Sequence, residues 1–262
     1  MSATSKAGDT RRPYQQVADQ VRAVIEEGGF LPGSRLPPER DLALQLGVSR
    51  PSLREALIAL EIEGRVEIRM SSGVYVCAPP ERAGAEAPML GESPSELMQA
   101  RAVLEQSVVT LAAARATRQG LERVRACLEA MRLDMQRGQA PIQSDRRFHV
   151  AIAELTGNSI LARMVGELFD GRFGAISSHM ASRAESTFSW EEAFHEHELI
   201  TLALESHNPI DAAAAMAAHL KASRERWVEQ SAAATADDGA EARAKAALRK
   251  APSARAGRVH GA

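Results

Sequence analysis

The chain has 262 residues, 45% of them hydrophobic and 25% charged, with a net charge of −2, enough for two ordinary soluble domains. No apolar run approaches the about 20 residues of a spanning helix and no leader pattern is visible; the two cysteines, Cys77 and Cys127, lack metal-type pairing and suit a reducing cytoplasm. A globally basic nucleic-acid binder is excluded: net charge is 0 over residues 1–80, −5 over 81–230 and +3 over 231–262, so any contact with DNA has to be local.

Residues 1–11 are small and polar without apolar periodicity, and a disordered arm is expected there. From Tyr14, the positions Val17, Val21, Val24 and Ile25 keep helical spacing until Gly28-Gly29 and the turn Leu31-Pro32-Gly33. The stretch that follows, PGSRLPPERDLALQLGVSRPSLREALIALE, reads as two short helices joined at Leu46-Gly47-Val48-Ser49. Ser49 is placed to cap the second helix, and Pro51 falls where its missing N–H costs little. Arg50 and Arg54, four apart, share one face, while Leu53, Leu57 and Leu60 recur on another. A helix with cations and hydroxyls outward and leucines inward is built to enter a major groove. Val66 and Ile68, then Val74 and Val76, alternate around Met70-Ser71-Ser72-Gly73 as a β-hairpin. The order is that of a winged helix-turn-helix over residues 12–78.

Residues 79–92, rich in Pro, Ala, Gly and charge, read as a linker. Over 93–230 the pattern is helical throughout. Ser93 caps and Pro94 opens a helix to about Thr117, followed by Leu121–Arg137, Ile142–Thr156, Ser159–Met180, Ser189–Ser206 and Pro209–Gln230. Six such helices imply an antiparallel α-bundle, so the fold class is mainly α with a small β wing. The Ala-rich remainder, 231–262, reads as a disordered tail.

Polar residues interrupt the bundle's apolar stripes. Asp145 and His149 are four apart on one helix, His197 precedes Ile200 and Leu204 on the fifth, and His219 lies among Ala215, Met216 and Leu220 on the sixth. One Asp and three His form a donor set for Zn²⁺, Mn²⁺ or Ni²⁺, and bundle cores build metal sites from facing helices. Each histidine alone reads more simply as a satisfied core or surface residue, and spacing cannot show convergence across three helices. His195 competes with His197, since two residues apart only one faces the core; the apolar neighbours favour His197. Arg101 intrudes on the stripe Leu97, Leu104, Val108, Leu111 and needs an anion, either Glu105 or a ligand carboxylate. Asn158 reads chiefly as a helix cap and secondarily as a ligand contact.

The N-terminal run through SSGVYV resembles the winged-helix domain of the GntR superfamily of bacterial transcription regulators. ARAVLEQ at 100–106, DRRFH at 145–149, GN at 157–158, EHELI at 196–200 and AAHL at 217–220 resemble the FCD ligand-binding domain of its FadR-like branch. The resemblance implies a homodimeric regulator, a repressor first, that binds double-stranded DNA at a palindromic operator and responds to a small carboxylate effector. It assigns DNA contacts to Arg40, Ser49, Arg50, Ser52, Arg54 and Gly73, a divalent metal (zinc first) to Asp145, His149, His197 and His219, and the effector to Arg101, with Asn158 beside it. The wing lacks the basic residue often found there, and Pro51 replaces a usual donor. Two rivals stay open: a metal-dependent hydrolase or lyase, which leaves the winged helix unexplained and shows no general base beside the ligands, and an effector-independent DNA-binding protein.

Overall fold

A computed structural model of the chain describes residues 12–69, 72–78, 90–184 and 190–226. The expected arm, most of the linker, and the tail lie outside the described residues. Helix α1 (Pro13–Glu27) carries Pro13 in its first turn and ends before Gly28 and the left-handed Gly29. Helix α2 (Glu39–Leu46) stops at Gly47, whose φ of 67° favours a residue without Cβ. Ser49 Oγ then accepts from Ser52 N at 3.2 Å to start α3 (Arg50–Ile62). Strands β1 (Val66–Arg69) and β2 (Gly73–Val76) pair antiparallel, with Val66 opposite Val76 and Ile68 opposite Val74. Their core-side residues pack on Val17, Val21, Leu42, Leu53, Leu57 and Leu60. Arg35 extends the wing through a bridge to Tyr75.

The second domain is all α: α4 (Pro94–Arg115), α5 (Arg118–Gln136), α6 (Ile142–Leu155), α7 (Ser159–Asp170), α8 (Ala175–Ala184), α9 (Trp190–Glu205) and α10 (Pro209–Arg224). Side-chain caps from Ser93, Thr117, Asn158 and Asn208 start four of these helices. The core joins Met98, Val109, Phe148, Ile152, Ile200, Leu204, Met216 and Leu220.

The single helix expected over Ser159–Met180 is instead two. After Asp170 the chain makes a 3₁₀ turn (Gly171–Phe173), then Gly174 is extended, with ψ of 159°. Close packing explains the break. A Cβ on Gly171 would lie 2.7 Å from Leu97 Cδ2, and one on Gly174 would lie 3.1 Å from Gly91 Cα. The turn redirects α8 onto the first domain, where Ile176 and Met180 are buried with Tyr14, Ile58 and Ala59. As a result Ile58 and Ala59 are buried as well, and Leu53 through Leu60 of α3 are all buried, although the leucine spacing had assigned only one face to packing.

Two carboxylates of α3 hold the second domain. Glu55 accepts from Ser93 Oγ at 2.7 Å and Ser95 N at 2.9 Å, at the start of α4. Glu61 meets His179 Nε2 of α8 at 2.7 Å and accepts from Ile68 N at 2.8 Å. Around them Arg12 donates to Gly91 O and pairs with Glu92 at 2.7 Å, and Tyr14 Oη donates to Gly91 O at 3.1 Å.

Candidate metal centre and nucleic-acid interface

The helical period brings Asp145 and His149 to one face of α6, while α9 and α10 turn His197 and His219 toward them. All four are buried, and one ligand atom from each lies within 4.8 Å of the others. His149 Nε2 and His197 Nε2 are 3.4 Å apart, and Asp145 Oδ1 is 3.3 Å and 3.0 Å from them. Ligands held about 2.0–2.2 Å from one Zn²⁺ in tetrahedral or similar geometry sit about this far from each other. Despite that proximity, Asp145 Oδ1 accepts no well-formed hydrogen bond. A buried acceptor converging with imidazole nitrogens but not bonded to them fits a site for a cation.

Carboxylates stand behind two of the rings. Glu105 Oε2 lies 2.5 Å from His149 Nδ1, and Glu196 Oε2 lies 2.8 Å from His219 Nδ1. Glu196 thereby turns Nε2 of His219 inward, as outer carboxylates do at metal sites, whereas His149 Nδ1, close as it is to Glu105, makes no well-formed hydrogen bond. Glu196 is itself held by two contacts from Arg226 at 2.7 Å. Burial, reinforced by the neighbouring His197, pushes His219 down to about 3, so its ring is neutral and its lone pair available. Burial alone would raise Asp145 and Glu105, but the histidines hold Asp145 well below its usual value, and Arg101 with His149 brings Glu105 to about 2.

Arg101 is buried, as its stripe position requires, with Nε 2.6 Å from Glu105 Oε1. Its Nη2 has no hydrogen-bond partner among the described residues. Arg172, which the helical pattern did not single out, enters from the 3₁₀ turn with Nη1 3.4 Å from Asp145 Oδ2. His195 is exposed beside Glu198, leaving the inward place to His197. Asn158 stays apart from the cluster: it is exposed, and its Oδ1 accepts from Ile160 and Leu161 as the cap of α7. Its side-chain oxygen thus serves helix initiation, as the cap reading expects.

At the opposite end, Ser49 and Arg50 are exposed on the first turn of α3, and Arg40 is exposed on α2. Ser52 is half-buried and shares a 2.7 Å contact with Ser49 Oγ. Gly73, with φ of 110°, opens β2. Arg54 does not present itself beside Arg50: it is 5% exposed and its Nη2 pairs with Glu39 at 2.7 Å. The expectation of a shared outward face misses this, because the partner comes from another helix. Arg35 is exposed beside the wing, with its guanidinium lying over Gly73. No spacing rule pointed to it, since it precedes α2.

The model of bacterial regulatory proteins of the gntR family matches residues 13–76, and that of the FCD domain matches residues 96–222. The chain is 35% identical over 236 residues to the Uxu operon transcriptional regulator of Escherichia coli K12, covering 87% of this chain and 90% of that protein. It is 34% identical over 225 residues to the Exu regulon transcriptional regulator of the same organism, covering 81% and 83%. Among solved structures it is similar to Streptococcus agalactiae GntR, with TM-score 0.43 and 25% identity over 81% of this chain and 99% of that one. A winged helix joined to a helical sensor domain defines a transcription regulator rather than an enzyme. The chain belongs to the GntR family and carries an FCD domain.

Proposed function

We propose that the protein is a metal-dependent sensor of a small carboxylate that controls binding of a homodimer to a palindromic operator, acting first as a repressor. The observation that carries this is the buried cluster of Asp145, His149, His197 and His219 beside Arg101, whose buried Nη2 is unpartnered among the described residues. When bound, a divalent ion, zinc before manganese or nickel, supplies a Lewis acid for a carboxylate oxygen. Glu105 and Glu196 hold the rings, Arg101 takes an anionic oxygen, and Phe148 and Phe169 line the cluster with apolar rings.

Arg50 and Arg40 are the foremost DNA contacts in this reading, with Ser49, Ser52 and Gly73 approaching the backbone; Arg54 joins them only by leaving Glu39. A homodimer supplies two recognition helices for two half-sites, and Val103 on α4 with Ile160 and Met164 on α7 are exposed apolar residues available to a second copy. The domain division is residues 12–78 for DNA and 93–230 for sensing and dimerisation.

Elemental analysis of purified protein tests the metal: wild type carries about one ion per chain and His219→Ala carries little, while no metal in either overturns this part. Binding to DNA flanking the protein's own gene tests the reader. Arg50→Ala is expected to lose specific binding, and unchanged binding would remove α3 from that role.

A further inference from the structure

The four converging residues are not set by the same means. Asp145 and His149 lie four apart on α6, so the helical period alone brings them together. His197 and His219 come from two different helices, and their mutual position depends on how α9 sits against α10. The centroids of these two rings are 4.3 Å apart, and His219 stacks on His149 at 5.2 Å. Ile200 and Leu204 share one core cluster with Met216 and Leu220. Apolar burial of that kind joins the helices but is non-directional, and it does not aim a ring.

Glu196 and Arg226 supply the direction. Glu196 immediately precedes His197 on α9, so the two side chains point about 100° apart: the imidazole enters the cluster and the carboxylate meets α10. There Glu196 Oε2 lies 2.8 Å from His219 Nδ1. Arg226, about two turns beyond His219, donates from Nη1 to Oε1 and from Nη2 to Oε2 of the same carboxylate, both at 2.7 Å. A planar fork on a carboxylate fixes angle as well as distance. Side-chain exposure is 6% for the arginine and 20% for the carboxylate, so water competes little for either. The other two rings lack such a brace. Among the described residues His197 Nδ1 has no hydrogen-bond partner, and His149 Nδ1 makes no well-formed bond with Glu105.

We propose that Arg226 is a positioning residue of the metal centre: by clamping Glu196 across the α9–α10 pair, it fixes the ring of His219 and the distance of that ring from His197, so that two of the four ligands are preset. This rests on the metal-binding reading. The clamp acts through Glu196 and depends on the shape of the guanidinium as well as its charge, so a lysine replaces it only in part. The apolar core between α9 and α10 persists without it, and its loss is therefore read in the metal centre before it is read in the fold.

The test uses full-length protein stripped of metal and titrated with zinc against a competing chelator, with cobalt(II) absorption as a probe of ligand geometry and chemical denaturation of the metal-free form as a measure of the fold. Wild type is compared with Arg226→Met, Arg226→Lys and Arg125→Met; Arg125 pairs with Glu205 at the far end of α9, at 2.5 Å, and controls for loss of an ion pair on the same helix. Arg226→Met is expected to lose zinc affinity by about 10–100-fold, as loss of an outer partner does, and to shift the visible cobalt bands. Arg226→Lys is expected to recover part of the affinity, and Arg125→Met to keep that of wild type. If Arg226→Met binds zinc as tightly as wild type with the same cobalt spectrum, or loses only the stability of the metal-free form, the inference is wrong even though the metal reading stands. Should Arg226→Met not fold, Arg226→Lys decides: weaker zinc binding with altered cobalt bands supports the clamp, and wild-type values overturn it. If wild type binds neither zinc nor cobalt, the metal reading falls and this inference with it.

Discussion

Glu105 touches two groups of the cluster at once, Arg101 at 2.6 Å and His149 at 2.5 Å. Its removal therefore does more than delete one hydrogen bond: Arg101 is left buried without a counter-charge, and the His149 ring loses the carboxylate beside its Nδ1. Breaking a buried pair costs about 3–5 kcal/mol, and loss of such an outer carboxylate lowers metal affinity about 10–100-fold. Glu105→Gln is expected to show both effects, in chemical denaturation and in competition with a zinc chelator; wild-type metal affinity in a folded variant would refute the orienting role. Glu55 behaves differently. Burial raises its carboxyl pKa above the ordinary value, so the folded chain binds the proton more tightly than the unfolded chain does. Stability from this group is thus lost as pH rises from the unfolded value through the raised one, and at pH 7 the charged form carries a burial cost. Glu55→Gln keeps an oxygen acceptor for Ser95 N and turns its amide NH2 toward Ser93 Oγ, which can accept, without the charge. It is expected to match or exceed wild-type stability at pH 7 and to lose that advantage near pH 4, whereas Glu55→Ala costs about 1–3 kcal/mol. Denaturation at both pH values checks the sign.

At the scale of elements, the places where the sequence was legible are those where local chemistry determines local shape. Gly47, Ser49 and Pro51 specify the start of α3 without help from elsewhere, and the alternation of Val66, Ile68, Val74 and Val76 specifies the hairpin. His197 was separable from His195 because its neighbours three and seven residues on, Ile200 and Leu204, are core residues. Legibility ended where partners are remote in sequence. Apolar spacing runs through Gly171 and Gly174, so nothing local signals a break that Leu97 and Gly91 impose; Arg172 was missed with it. Arg54 reads as exposed until Glu39 is brought beside it. The outer face of α3 reads as solvated until α8 covers it. Gly91 tests how firmly that junction is set, because its φ is 85° and a Cβ there would stand 2.8 Å from Gly174 Cα. Gly29 also has positive φ, but its added Cβ would meet nothing within 4 Å. Gly29→Ala is expected to cost about 1–2 kcal/mol, the left-handed penalty alone, and Gly91→Ala clearly more, since backbone must move. Equal losses in thermal denaturation would show that the close approach is not constraining.

Across the whole molecule, two hydrophobic cores are joined by an apolar patch and two buried or half-buried carboxylates of one helix. Such a junction should make the domains unfold together, since opening either exposes Ile58, Ala59, Ile176 and Met180 and strands Glu55. Ligation that favours only the folded helical domain then stabilises the winged helix as well. An ion present at 100 times its dissociation constant adds about 2.7 kcal/mol by mass action. In scanning calorimetry, wild type is expected to show one transition that moves up on adding zinc and down on chelation, while His219→Ala shows one transition that zinc leaves in place. Two transitions, of which zinc moves only one, would mean that the junction transmits no stability between the domains. The seating of α3 would then be independent of the metal cluster.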